Sequence, residues 1–428
     1  SNDDRLRPAA TRLAAEGASL GESHYGYDGE GFLFSAANTN ASGQGTLTIY
    51  AYDGGYSAGH ETALGNGATF RRIVVRDPHR PQLITSATNM VDGLTVSAFD
   101  YDNDIVGQRS TVLDYNGGTP VTNAFGYNQR SEVTNAVTGT NLFAGAYDGI
   151  GNRTTAGWNG SADVYTANAL NQYACVRSVG LSYDADGNLV SDGVQTFVWD
   201  AENRMITAVP AAYSNGAQRV VNGYDHRHRR VLKRVDVLTG YDPAVPPNPP
   251  GSPGEWVTRG TTRFVWDGDR IVAETTVSAD GTASTNRYFW GADVSGTLDG
   301  AAGVGGLLAA SFGGTNVVYC YDANGNVTEL LDAYSGAVVA RYRYGAFGET
   351  ILAEGPMAVA NPWRFSTRYH DDETGLVMFP RRPYSPQLGR FLSRDPIEED
   401  GGVNLYTMCG NDLINKYDAT GLLPSLTW

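Results

Sequence analysis

The chain is poor in cysteine, methionine, histidine and charge. Three cysteines (Cys175, Cys320, Cys409) are spread over 428 residues. That number and spacing exclude a disulfide scaffold and match no metal or redox motif, so each reads as a small buried hydrophobe. Charged residues make up 18%, and 46 acids against 31 bases leave a net charge of −15. A balance this acidic argues against a nucleic-acid partner and against an anionic membrane surface. No apolar run approaches the roughly 18 residues that a membrane span needs. No cofactor motif is present. The chain opens "SNDDRL", without Met and without a visible signal peptide, and reads as a processed chain, a fragment or a tag scar.

What is abundant points to strands. Glycine (53), tyrosine (25) and a 41% hydrophobic content favour many short strands joined by tight turns over helices. One pattern recurs: aromatic, any residue, Tyr or Trp, Asp, two residues, Gly. It appears as "YGYDGEG" at Tyr25, "YAYDGG" at Tyr50, "FDYDND" at Phe99, "AYDGIGNRT" at Ala146 and "SYDADGNLV" at Ser182. It returns as "VWDAENRM" at Val198, "GYDHRHRRV" at Gly223, "VWDGDRIV" at Val265 and "YCYDANGNV" at Tyr319, with weaker copies at Phe125 and Tyr342. The alternating aromatics share one strand face, Asp caps backbone amides at the turn, and Gly supplies a positive φ. Each unit is therefore a hairpin, and successive hairpins pair edge to edge into a curling sheet.

The repeat resembles that of the RHS or YD-repeat family, over most of the chain from about Tyr25 onward. The most specific stretches are "YDANGNVTELLDAYSGAVVARYRYGAFGET", "NPWRFSTRYHDDETGL" and "LGRFLSRDPIEEDGGVNLY". The resemblance implies an all-β fold: a strip of hairpins that curls into a spiral shell or cocoon and is closed by a C-terminal core region. It divides the chain into an N-terminal extension (1–22), the strip (23–286), the core (287–422) and a short tail (423–428). The proline-rich stretch from Asp242 to Gly254 reads as an exposed loop on one hairpin.

In the family resembled, the core is a single-turnover aspartic-type autoprotease. Carried over by position, its residues are Arg382, Asp395 and Asp418, and the scissile bond is Leu422–Leu423. Two close carboxylates share a proton, so one activates water while the other protonates the leaving amide. Against this stands a plainer reading, since Asp-Pro starts turns and Asp-x-x-Gly is already the repeat turn. The chain also departs from the family pattern in "RPYSP" (Arg382 to Pro386), at Leu413 and at Ala419.

Three further features invite functional readings. The basic run from Tyr224 to Val235 suggests glycan or acidic-partner contact, but reads better as a strand with its charges facing solvent. His226 and His228 sit two apart without a third metal ligand. The glycines from Gly300 to Gly306 lack the Gly-Lys-Ser/Thr ending of a phosphate loop. Three functions stay open. The first is a shell that carries a C-terminal cargo or toxin peptide and cleaves itself. The second is an extracellular structural protein that pairs with copies of itself through exposed strand edges. The third is a cell-surface glycan-binding module. The resemblance implies a secreted or surface location.

Overall fold

Side chains that alternate between two faces, with a turn chemistry repeated along the chain, produce an antiparallel strip. The computed structural model describes residues 10–15, 18–40, 45–53, 56–116, 119–241 and 254–426. Among these residues the fold is all-β. A sixteen-stranded sheet runs from Ala10–Ala15 to Val179–Gly180, and a fourteen-stranded sheet from Ser182–Tyr183 to Thr350–Glu354. In both, neighbours in sequence are neighbours in the sheet. The sheet begins at Ala10, inside the stretch read as an extension. Position 287 falls within the strand Ala283–Trp290, so strand pairing marks no boundary there. Most of the proline-rich loop (242–253) and residues 1–9 lie outside the described residues.

The repeat turns behave as their chemistry dictates. Asp28 Oδ1 accepts hydrogen bonds from the amides of Glu30, Gly31 and Phe32 at 2.8–3.0 Å, and Gly31 takes φ 103°. Asp184 caps Asp186 and Asn188 with Gly187 at φ 87°. One assignment shifts: the turn after the strand Leu94–Asn103 is capped by Asp104, whose Oδ1 accepts from Val106 and Gln108, while Asp102 binds the Thr111 hydroxyl. Asp104 has Gly107 three residues on; Asp102 has no such glycine.

The aromatic residue at the start of the turn, before Asp in most units and before Gly345 in one, is Tyr or Trp for a reason beyond packing. Tyr147 OH donates to the Val133 carbonyl, Tyr224 OH to Met205 and Tyr344 OH to Val327, at 2.7–2.9 Å. The indoles of Trp199 and Trp266 donate to Leu189 and Arg230 at 2.7 and 2.9 Å. Each acceptor stands five residues after the preceding repeat's turn Asp or Asn, so these units are stapled to the ones before them. Phe at this position would leave a carbonyl unpaired at about 1–3 kcal/mol.

Because one repeat spans two strands, these turns lie along a single rim of the strip. The strip folds back on itself. Tyr25 OH donates to the Trp290 carbonyl (3.3 Å), and the hydroxyls of Tyr50 and Tyr101 accept from the amides of Ala292 and Ala323 (both 2.9 Å). After Glu354 the chain leaves the strip and becomes a plug. The plug comprises a four-stranded sheet (Tyr369–Asp371, Leu376–Met378, Pro383–Ser385, Arg390–Phe391) and a final hairpin pairing Lys416–Asp418 with Pro424–Leu426. Its buried Phe379, Tyr384, Phe391 and Met408 pack with wall residues Val133, Phe143, Phe197 and Met205 in one core. Each such side chain contributes about 1.5–3 kcal/mol by leaving water.

The plug is also clamped by charge, which corrects the expectation of a solvent-facing basic strand. Arg230 and Lys233 are buried and converge on fully buried Asp371 of the plug. Arg230 donates through both Nη atoms at 2.5 and 3.1 Å, and Lys233 Nζ at 3.0 Å. Of the cysteines, Cys320 and Cys409 are buried and Cys175 is half-buried.

Candidate functional site

The plug's last turn repeats the wall's chemistry. Asp418 Oδ1 accepts from the amides of Thr420 (3.1 Å), Gly421 (2.7 Å) and Leu422 (3.1 Å), with Gly421 at φ 85°. The plain turn expectation therefore holds for one oxygen of this carboxylate. The Arg381 amide donates to the Thr420 carbonyl at 3.0 Å and ties the turn to the neighbouring strand region.

Arg382 organises the rest. Its Nη2 donates to Asp395 Oδ2 at 2.7 Å, its Nη1 to the Leu405 carbonyl at 3.0 Å, and its Nε to the Gly421 carbonyl. The guanidinium lies 3.8 Å from the Phe391 ring centroid, which fixes its plane. Asp395 Oδ1 accepts from the Ile397 amide at 3.1 Å, the geometry of an Asp-Pro turn. Arg382, Asp395 and Asp418 are thus brought together.

Burial dominates the electrostatics. It pushes both Asp395 and Asp418 above the usual carboxylate range, with Arg382 opposing the shift in each case. Burial pulls Arg382 down to about 10, while Asp395 and Asp418 both hold it charged. Contact between the carboxylates differs from the sequence expectation of a proton-sharing pair. Among the described hydrogen bonds none joins them directly; Arg382 stands between them.

Leu422 and Asp395 meet at Gly401. A Cβ on Gly401 would lie 2.4 Å from Asp395 Oδ2 and 3.0 Å from the Leu422 carbonyl oxygen. Any residue with a Cβ at 401 would crowd both the carboxylate and that carbonyl. Beyond them opens a cleft of about 480 Å³, lined by Asp395, Glu398 and Leu422 of the plug and by Asp186, Glu202 and His228 of the wall turns. Leu423 is 54% exposed, so the bond Leu422–Leu423 leaves the buried site for the surface.

Sequence reasoning missed three residues. Gly401 carried only the local signal of a Gly-Gly pair. Arg368 is buried and donates to the carbonyls of Ala302 and Ala301; burial lowers it to about 10, and Asp418 is the strongest charge opposing that shift. Cys409 is buried against the same carboxylate, its thiol pushed up by burial and then by Asp418. Other candidates are absorbed by structure. The amides of Ala301 and Gly303, in the glycine run, bind Asp293 Oδ2. His226 and His228 lie in the turn capped by Asp225, with His228 Nε2 3.8 Å from Glu202 Oε2. No cluster of three His, Cys, Asp or Glu suited to a metal occurs among the described residues.

No family model matches the chain. It is 30% identical over 284 residues to a tRNA3(Ser)-specific nuclease WapA of Bacillus spizizenii, covering 64% of this chain and 11% of that protein. It is 28% identical over 296 residues to double-stranded DNA deaminase toxin A of Burkholderia cenocepacia, covering 65% of this chain and 19% of the toxin. The chain thus spans about a tenth to a fifth of these relatives' length. Among solved structures it is similar to TcdB2-TccC3 lacking its hypervariable C-terminal region. That similarity has a TM-score of 0.75 at 17% identity, over 96% of this chain and 21% of the other.

Proposed function

From the premise that this chain is an RHS-repeat protein, we propose that it forms part of a shell for a C-terminal toxin peptide and cuts itself from that cargo. The cut falls between Leu422 and Leu423. The closeness of both Asp395 and the Leu422 carbonyl to Gly401 carries this reading. The relatives' toxin names and the shell-like fold support the carrier role. We place the protein outside the cell or at its surface; no described helix is long and apolar enough to cross a membrane.

Each group has a task in the cut. Asp395, facing the Leu422 carbonyl, takes a proton from a water entering from the cleft, and that water attacks the carbonyl carbon. Asp418, its carboxyl raised by burial, gives a proton to the leaving Leu423 nitrogen. Arg382 holds Asp395 and draws the Gly421 carbonyl, and so the turn, into line. The products are a carboxyl on Leu422 and a free amine on Leu423, so one water is consumed. Arg368 keeps a positive charge near Asp418 as the proton departs.

The test extends the chain beyond Trp428 with a folded reporter and reads intact mass. Wild type should split after Leu422, and Asp395→Asn and Asp418→Asn should stay whole. A wild type that stays whole across the pH range leaves the two aspartates as turn residues.

A further inference from the structure

A second cavity, which shares no lining residue with the cleavage cleft, lies between the two sheets. The strands Tyr56–Ala63 and Thr69–Arg76 supply Tyr56, His60, Arg72 and Arg76; the segment around Ser295 and the plug's Tyr417 form the facing wall. Its volume is about 250 Å³, near the lower end for a small-ligand pocket.

Among the described residues, the charge on Arg76 has no carboxylate set against it. The Arg76 guanidinium lies 4.7 Å from the Tyr56 ring centroid, and Nη1 reaches the Pro81 and Gln82 carbonyls only at 3.3 and 3.4 Å. Its Nε is buried without a partner. Burial lowers its pKa, and among the described residues the group opposing this is the Tyr56 phenol and not a carboxylate. In a chain with 46 acids and 31 bases, a part-buried arginine without an acid is a departure that asks for a counter-charge. Arg72, four residues earlier on the same strand, spends its donors on the carbonyls of Tyr321 and Asp322 and on Asn89 Oδ1, makes no ion pair among the described residues, and has the Asp322 charge nearby to support it. The one carboxylate lining the cavity, Asp293, is turned onto its own loop, where it accepts from Ser295, Ala301 and Gly303. His60 stands beside Arg72 between the Tyr50 and Phe70 rings, and burial with Arg72 holds it neutral, at about 3.

We propose that this cavity is an oxyanion site that takes the phosphate or carboxylate group of a small ligand, gripped by the Arg76 guanidinium. Guanidinium groups match both oxyanions through paired N–H donors. The anion would place a negative charge in the cavity that His60 lines.

The experiment titrates the whole chain with inorganic phosphate and, separately, with acetate, against chloride at equal ionic strength. It reads heat of binding and the NMR titration of His60. Saturable binding is expected, with the His60 pKa moved upward. Arg76→Met should weaken binding about tenfold or more, while Arg71→Met, on the exposed face and paired with Glu61, should leave it unchanged. Arg76→Lys keeps the charge but loses the fork, and carries the test if the methionine variant does not fold; its binding should be weakened but retained. Phosphate alone binding identifies a phosphate ester as the ligand class; acetate binding as well identifies a carboxylate. Absence of saturable binding by both anions, or equal binding by Arg76→Met, overturns the proposal.

Discussion

Replacing Asp371 by Asn tests how the plug is held in the wall. Asp371 is fully buried and is the meeting point of Arg230 and Lys233, which are themselves buried. Asn keeps the shape and removes the charge, so two buried cations are left with only Glu373, which Lys233 reaches at 2.7 Å. Removing one member of a buried ion cluster costs about 3–5 kcal/mol. At roughly 2 cal/mol/K of unfolding entropy per residue, a chain of this length should melt about 3–6 °C lower. Burial raises the Asp371 pKa, but Arg230 and Lys233 outweigh it and hold the group well below the usual range. Its stabilisation is therefore present above the unfolded carboxyl value near about 4 and is lost as pH falls through the folded one. The gap between wild type and variant should be full at pH 7 and narrow in acid. A triple variant, Asp371→Leu with Arg230→Met and Lys233→Met, should recover most of the loss, because an apolar replacement of a buried cluster is near neutral. The assay is thermal unfolding at several pH values, with hydrogen exchange over Tyr369–Phe391. A single variant that melts with wild type, or a triple variant no better than the single, would refute the reasoning.

Gly401→Ala should stop self-cleavage without touching a carboxylate, since its Cβ would sit 2.4 Å from Asp395 Oδ2 and 3.0 Å from the Leu422 carbonyl oxygen; unchanged cleavage by intact mass removes the assigned geometry. The cleavage rate should fall at alkaline pH, where both raised carboxyls have lost their protons and no acid remains for the leaving nitrogen; a rate still climbing at pH 9 rules out the acid role of Asp418. The same upward shifts mean that these two groups contribute stability below the unfolded carboxyl pKa and lose it as pH rises through the folded values. Asp395→Asn should accordingly lessen the alkaline loss of stability, read by denaturant unfolding at pH 5 and 8. Tyr321→Phe deletes a hydroxyl that donates to the Leu307 carbonyl at 2.6 Å in the core; it should cost about 1–3 kcal/mol, against a few tenths for a surface tyrosine such as Tyr334.

Sequence carried the hairpin strip because its signals are local. An Asp with a Gly three residues on closes its own turn, and period-two aromatics share a face. The shift from Asp102 to Asp104 shows the same rule applied strictly. Partners distant along the chain were out of reach. Arg230 and Lys233 looked solvent-facing because Asp371 lies 141 and 138 residues away, and no pattern of period two reports on that. The staple from Tyr224 to Met205 needs the identity of the neighbouring strand, which the alternation of aromatics does not report.

The two expectations for Asp418, turn residue and acid, turn out not to compete. Its Oδ1 caps the turn as Asp148, Asp200 and Asp225 cap theirs. In those wall turns burial raises the carboxyl, but hydrogen bonds from the turn and its neighbours outweigh it and the net shift is downward. In Asp418 burial wins despite three amide donors. Burial alone does not single out the position, because Asp322 in a buried wall turn is raised too. What separates Asp418 is the second carboxylate, Asp395, held within reach of the same turn by Arg382. A repeat turn becomes a candidate cutting site when it is placed in a plug, beside another acid, with an arginine bridging the two.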